Sequence, residues 1–335
     1  MKITSSAPTR VDLAGGTLDI WPLYLFHDDA QTVNFAVDLR AQCTIETTPG
    51  TTIEIESCDL GQHESFVDLE ALTRARHYQL PLAARLIRYF QPNGGFRLVT
   101  DCQSPAGAGI AGSSALNIAI CGALNRLTER KLSLLALQNV ARNVEAQVIR
   151  VPTGEQDYFP AMYGGLNSIH LTPGGLVVER LNSDLAAFER RVVLCYTGAP
   201  RQSGINNWEV TKRHIDGDRK VIRNFARIAA IARDMRAALQ ANDWKEVARL
   251  LREEWSNRRK NAPGISTPLI DRLIATARRN GGLAAKVCGA GGGGCVFFFT
   301  EDGARDRVSQ AIAREGARVL DVRVAAKGLT VSALK

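Results

Sequence analysis

Residues 104–115 read Ser-Pro-Ala-Gly-Ala-Gly-Ile-Ala-Gly-Ser-Ser-Ala, a run of small residues that opens directly into apolar positions spaced three and four apart: Ala115, Leu116, Ile118, Ala119, Ala123, Leu124 and Leu127. The spacing predicts a helix buried on most of its faces, with a nearly bare turn at its N-terminus. Backbone N–H groups in such a turn approach an anion closely, and the partial positive charge of the helix start lies behind them. Ser113 or Ser114 adds a hydroxyl for a phosphate or for Mg²⁺. A tight turn before a helix of small residues would read the same way in isolation. The Walker pattern does not fit, because no lysine precedes the serines, and a Rossmann fingerprint lacks its acidic residue after a strand.

A second loop, Gly289-Ala290-Gly291-Gly292-Gly293-Gly294, separates Lys286-Val287-Cys288 from the apolar run Cys295 to Phe299. A hairpin needs one or two glycines, and each further one costs backbone entropy, so a ligand approached by bare backbone explains the run better. A third small-residue turn, Ala14-Gly15-Gly16, follows Arg10-Val11-Asp12-Leu13 and precedes Asp19.

Composition bounds what these loops serve. With 335 residues and 45% hydrophobic content the chain can bury a sizeable core in about two domains. The start Met1-Lys2-Ile3-Thr4-Ser5 resembles neither a secretory core nor a transit helix, and no apolar run reaches a membrane span, so a cytoplasmic protein without a membrane partner is expected. Seven scattered cysteines read as structural thiols; zinc and redox roles find no support in their spacing. A net charge of +8 suits nucleic acid or phosphorylated small molecules equally. Much of the excess lies at 212–236 and 249–260, where basic residues alternate with Val221, Phe225, Ile228, Ala232, Met235 and Leu239, as on a solvated helix face. Aromatic residues are 6% of the chain and do not interleave with the basic ones in a strand pattern, so nucleic acid is the weaker reading.

Residues 1–58 read as β structure, followed by the helix after Ser113 and a second from a Ser133 cap through Val148, ended by Pro152 and Gly154. Strands resume over 164–180 around a Pro173-Gly174-Gly175 turn. Two amphipathic helices then span 218–260 with a break at Asn242-Asp243, and a third covers 268–279. The strand 296–299, a helix over 306–315 and a last strand near 319–324 complete an α+β second half. The boundary is expected near 175–190, dividing the chain into 1–180 and 181–335 with closely packed halves.

Ala7 to Asp19, Pro105 to Ala115 and Gly289 to Gly294 resemble, in order and spacing, the three motifs of the GHMP kinases, the galactokinase, homoserine, mevalonate and phosphomevalonate kinase superfamily. Gly154 to Asp157, Tyr163 to Asn167, Tyr196 to Gly198 and Trp255 to Ser266 are similar to the branch holding heptose 7-phosphate kinases and fucokinase-type enzymes. The resemblance covers nearly the whole chain. It implies a two-domain α+β fold: an N-terminal domain like domain 2 of ribosomal protein S5, with a left-handed βαβ crossover, and a ferredoxin-like C-terminal domain.

The resemblance further implies that ATP and the acceptor meet between the domains. Pro105, Gly107, Ala108, Gly109, Gly112, Ser113 and Ser114 would wrap the ATP phosphates; Glu145, with Ser113, would hold Mg²⁺. Asp157 would act as catalytic base and Arg10 would lower its pKa and neutralise the moving phosphoryl. Gly16, Thr17, Asp19, Gly291 and Gly292 would shape the acceptor site. Each residue also has a plainer reading: Glu145 as a surface group at a helix end, Asp157 as a cap, Arg10 as a surface partner of Asp12, Asp19 as a turn residue. Arg201, Lys212 and Arg213 are candidates for reading a phosphate already on a sugar-phosphate acceptor. Trp21 and Tyr24 are candidates for stacking on a sugar face, with core packing as the alternative. Ala111-Gly112 replaces the commoner Gly-Ser or Ser-Ser, which leaves the serine register open by one; Leu18 and Tyr158 depart from the heptose kinase pattern and leave the acceptor open. A mevalonate-type acceptor, or an ATP- and sugar-binding sensor without turnover, are the other expectations, and self-association as a homodimer is left open.

Overall fold

The computed structural model describes residues 1–200, 205–260, 264–289 and 291–334. Strand β1 (Lys2–Ala14) runs antiparallel to the long β2 (Gln31–Thr48), with Lys2 opposite Glu46 and Ala14 opposite Val33. The hairpin β3 (Ile53–Ser57) and β4 (Gln62–Phe66) leads through α1 (Leu69–Arg74) and α2 (Pro81–Phe90) to β5 (Gly95–Cys102), which pairs parallel with β3 and antiparallel with β2. Three helices follow, α3 (Gly112–Leu127), α4 (Leu134–Ile149) and α5 (Tyr158–Tyr163), and then the hairpin β6 (Leu166–Thr172) and β7 (Gly175–Arg180). Ser133 caps α4 by accepting from the Ala136 N–H, as its sequence position predicts.

The second half begins with α6 (Leu185–Glu189), β8 (Val192–Tyr196) and α7 (Ile205–Ile215). Helices α8 (Arg219–Gln240) and α9 (Trp244–Arg258) start at Asp218 and Asp243 caps, and α10 (Pro268–Arg279) starts at a Thr267 cap with Pro268 in its first turn. On α8 the residues Val221, Phe225, Ile228, Ala232, Met235 and Leu239 are all buried, which puts its basic residues on the opposite, solvated face. Strands β9 (Gly282–Val287) and β10 (Cys295–Thr300), helix α11 (Arg305–Arg314) and β11 (Arg318–Leu320) complete a four-stranded antiparallel sheet ordered β11–β8–β10–β9, the ferredoxin-like arrangement.

Two features depart from the sequence reading. The last expected strand closes after Leu320, and an unexpected β12 (Thr330–Leu334) returns to pair with Lys2–Ser6 of β1, crossing the expected division at residue 180. Its five residues are too few for periodicity to declare a strand, and their partner lies at the other end of the chain. Trp21 is exposed, whereas Tyr24 is buried in the core.

The two sheets share one apolar mass. The Phe35 ring on β2 lies 5.1 Å from that of Phe188 and 5.7 Å from that of Phe297 on β10, and Phe188 lies 5.9 Å from Phe299. These rings join the halves through shape rather than through a linker. Phe297→Ala should therefore destabilise the protein by about 3–5 kcal/mol in denaturant unfolding, the usual cost of emptying a buried aromatic site. A loss under about 1 kcal/mol would show that the halves do not depend on this contact.

Candidate active site

The first glycine turn bends where its residues permit. Gly107 and Gly109 adopt φ of 68° and 80°, and Ala111, with φ 59°, sits at the cap position before α3. The helix N-terminus thus opens onto a cavity of about 800 Å³ whose wall includes every residue expected at the phosphates: Pro105, Gly107, Ala108, Gly109, Gly112, Ser113 and Ser114. The cavity also reaches a less polar end beside Leu60, Leu80, Pro81, Leu82, Leu116 and Ile120.

Arg10, on β1, ties the turn to the carboxylate. Its backbone N–H donates to Ile110 O at 2.9 Å, and its Nη1 donates to Gly109 O at 2.8 Å. Nε and Nη2 donate to Asp157 Oδ1 at 2.9 and 2.6 Å. Burial would lower the Arg10 pKa, but the Asp157 and Asp12 carboxylates more than offset this and hold it above its ordinary value. Arg10 is therefore a buried ion-pair partner rather than a surface one. Asp157 precedes α5 without capping it, because its side chain accepts no bond from that helix. Both Arg10 bonds land on Oδ1, and among the described residues Oδ2 accepts none.

Glu145 is buried near the end of α4 and is not a surface group. Ser114 Oγ donates to its Oε2 at 3.0 Å, and Tyr158 Oη donates to the same oxygen at 2.8 Å. Ser113, the exposed neighbour, also acts on Glu145 electrostatically, so both serines bear on this carboxyl. Burial pushes the Glu145 pKa up, the hydrogen bonds from Tyr158 and the serines opposing it. A cation at this carboxyl would relieve that cost. Hard carboxylate and hydroxyl oxygens beside a helix N-terminus suit Mg²⁺, which takes few protein ligands and completes its shell with phosphate and water. Among the described residues, no group of three or more His, Cys, Asp or Glu side chains could hold a metal by itself.

Asp19, Thr17 and Gln156 also line the cavity. The Gln156 N–H donates to Asp19 Oδ2 at 3.0 Å, and Gly154 is a glycine because any Cβ there would overlap that carboxyl. Burial, and then the nearby Asp157 charge, raise the Asp19 pKa to about 7.

The third loop enters this site differently from expectation. Gly289 lines the cavity, whereas Gly291 and Gly292 do not. Gly291 sits against Ile265, and the Gly292 N–H donates to Ile265 O at 3.0 Å. Gly294 packs on the first turn: a Cβ there would lie 2.7 Å from Ala108 O, and the Cys295 N–H donates to the same carbonyl at 2.7 Å. The glycines of this loop thus serve backbone-to-backbone docking. Gly16 lies beside the cavity with Arg258 filling the space that a side chain would need. Arg201 and Ala290 lie outside the described residues. Lys212 and Arg213 are exposed on α7, paired with Asp216 and Asp218, and do not line the cavity.

A buried ion cluster escaped the sequence reading. Asp12 Oδ2 lies 2.6 Å from Lys286 Nζ and 3.4 Å from Arg258 Nη1, and Arg258 Nη2 donates to Gly289 O at 2.7 Å. Burial alone would raise the Asp12 pKa, yet Lys286, Arg258 and Arg10 hold it well below the ordinary carboxylate range. The one available signal was Lys286 itself, a lone charge inside the otherwise apolar strand Gly282–Val287.

The raised Asp19 pKa carries a stability signature. Folding retains a proton that the unfolded chain releases above its ordinary value of 3.8, so this contribution is full below that value and is lost as pH rises through about 7. The unfolding midpoint of Asp19→Asn, relative to wild type, should therefore rise between about pH 4 and pH 8. A constant difference across that range would refute the burial of a titrating carboxyl.

Family models agree with this architecture. The one described as GHMP kinases N terminal domain matches residues 77–165, and the one described as GHMP kinases C terminal matches residues 235–318. The D-glycero-alpha-D-manno-heptose 7-phosphate kinase of Campylobacter jejuni is 25% identical over 98% of this chain and 98% of its own. The mevalonate kinase of Thermococcus onnurineus is 25% identical over 99% and 98%. A solved D-glycero-D-manno-heptose 1-phosphate kinase from Bacteroides thetaiotaomicron superposes with a TM-score of 0.79 at 24% identity, covering 99% of both chains. With both domains matched, in order, the chain belongs to the GHMP kinase family.

Proposed function

We propose that this protein transfers the γ-phosphoryl of ATP to a hydroxyl of a sugar or sugar phosphate, at the anomeric position. The observation that carries the reading is Arg10, whose guanidinium joins Gly109 of the phosphate turn to Asp157 across one cavity. The family and the heptose kinase relative favour a phosphotransferase with an alcohol acceptor.

The described residues divide the work. The N–H groups of Gly107 to Ser114 and the α3 N-terminus bind the triphosphate, and the apolar end beside Leu80 and Leu82 receives the base. Glu145 with Ser113 or Ser114 would hold Mg²⁺, and the chemistry supplied there when bound is charge neutralisation on the β- and γ-phosphoryl oxygens. Asp19, Thr17 and Gln156 accept and donate to acceptor hydroxyls. Asp157 Oδ2 takes the acceptor O–H proton as the new O–P bond forms and the bond to the β-phosphoryl oxygen breaks, releasing ADP. Arg10 orients Asp157 through two hydrogen bonds to Oδ1 and offsets charge on the moving group. A low-dielectric wall strengthens each of these contacts. The mevalonate kinase relative, matched over nearly its full length, favours a hydroxy acid as the second acceptor reading.

The test is turnover by purified protein with Mg²⁺-ATP and a panel of sugars, sugar phosphates and mevalonate, followed as ADP release. Asp157→Ala should bind ATP with unaltered affinity in calorimetry and lose about 10²–10⁴-fold in kcat. Full turnover by this variant would remove the proposed base. Glu145→Gln should raise the Mg²⁺ concentration needed for half-maximal rate; an unchanged requirement would place the metal elsewhere.

A further inference from the structure

Tyr158 departs from the heptose kinase pattern, and its place in the fold shows what that departure touches. The side chain is fully buried and does not line the cavity, so it is not an acceptor contact. Its hydroxyl turns inward instead. It donates to Glu145 Oε2 at 2.8 Å and lies 3.3 Å from Thr153 Oγ1. With its one proton on Glu145, the phenol oxygen accepts from Thr153. The function proposed above uses Glu145 and Asp157 and gives Tyr158 no task.

Three helices meet at one carboxyl. Glu145 belongs to α4, Ser114 to the first turn of α3, and Tyr158 is the first residue of α5, directly after Asp157. Ser114 Oγ reaches Oε1 at 3.3 Å and Oε2 at 3.0 Å, and Tyr158 takes Oε2 alone. The hydrogen bonds that Glu145 accepts from these described residues thus come from hydroxyls. A lysine or arginine in the place of Tyr158 would compete with a cation for the carboxylate. A hydroxyl fixes one oxygen and brings no formal charge. The phenol is rigid and buried, and a buried hydroxyl left without its acceptor is costly, so the ring also limits how far Glu145 can turn. At the other end of the hydroxyl chain, Thr153 and Gly154 line the cavity, and Gly154 abuts the Asp19 carboxyl. Hydrogen bonds that orient a metal-binding carboxylate from behind typically contribute about 10–100-fold to metal affinity.

We propose that Tyr158 is a positioning residue: its hydroxyl pins Oε2 of Glu145, aims that carboxyl at a divalent cation, and ties the cation's side of the cavity to the segment that carries Asp157. Tyr158 itself touches neither the cation nor the acceptor. The inference rests on the kinase reading, with Glu145 as the carboxyl that holds Mg²⁺, and deepens it.

The test is a double-mutant cycle on the full chain, read without turnover. Binding of the non-hydrolysable β,γ-imido analogue of ATP is titrated with Mg²⁺ in wild type, Tyr158→Phe, Glu145→Gln and the double variant, and the Mg²⁺ concentration at half-maximal effect is recorded. Tyr158→Phe keeps the ring and removes only the hydroxyl; it should raise that midpoint about tenfold and leave affinity for the analogue in EDTA within about twofold of wild type. Because Tyr158 acts through Glu145, the double variant should match Glu145→Gln within about twofold. Turnover of Tyr158→Phe should return toward the wild-type rate at high Mg²⁺, which a merely structural defect would not do. A midpoint within twofold of wild type in Tyr158→Phe, or single effects that multiply in the double variant, overturns the inference while the kinase reading stands. A midpoint that Glu145→Gln leaves unchanged removes Glu145 as the metal carboxyl and the inference with it. Should Tyr158→Phe fail to fold, Thr153→Val, which removes the hydroxyl that donates to the phenol, is read in its place: a midpoint raised at least threefold supports the inference, and a smaller change overturns it.

Discussion

Arg10 holds the site together because its guanidinium joins two separate pieces of chain. One nitrogen binds the carbonyl of Gly109 in the turn before α3, and two others bind Asp157 before α5. Its own backbone is stitched to Ile110. A buried guanidinium survives only where carboxylates and carbonyls satisfy it, so the same contacts that offset its desolvation also set the distance between the turn and Asp157. A lysine would supply the charge there without the planar fork that reaches two partners at once.

Beneath it lies a second constraint, the Asp12, Lys286 and Arg258 cluster. Asp12 belongs to the first sheet, Lys286 to the second and Arg258 to α9, so burying them together fixes how the halves meet. Aromatic packing around Phe35 and Phe297 gives the interface its area, and the ion cluster gives it an angular preference. The docking of Gly294 on Ala108 brings the two glycine loops into direct backbone contact.

Much of the fold was readable where local signals were strong. The α4 cap at Ser133, the break between α8 and α9, and the Thr267-Pro268 start of α10 all rest on nearest-neighbour chemistry that a single sequence carries. The turn between Ser104 and Ser114 was legible for the same reason, since small residues followed by a helical apolar period leave few alternatives. Return of β12 to β1 was not, because pairing across the whole chain leaves no local trace in a five-residue strand. At the site, Arg10, Asp157, Glu145 and Asp19 were nameable from motif resemblance, while their burial and partners were not. Gly291 and Gly292 turned out to serve packing against Ile265, because a glycine that frees backbone for a ligand looks the same as one that frees backbone for a neighbouring loop.

The sequence by itself determined the element types, the apolar faces and the positions where a bare backbone is tolerated, since these follow from side-chain period and from the absence of a Cβ. Only the tertiary structure decided which charges meet. Lys286 reads as a misfit in an apolar strand until Asp12 from the other sheet is placed 2.6 Å away, and Arg258 reads as one more basic residue on a helix until it enters the cavity. Electrostatic roles depend on distance and burial, and both are properties of the packed chain rather than of any stretch within it.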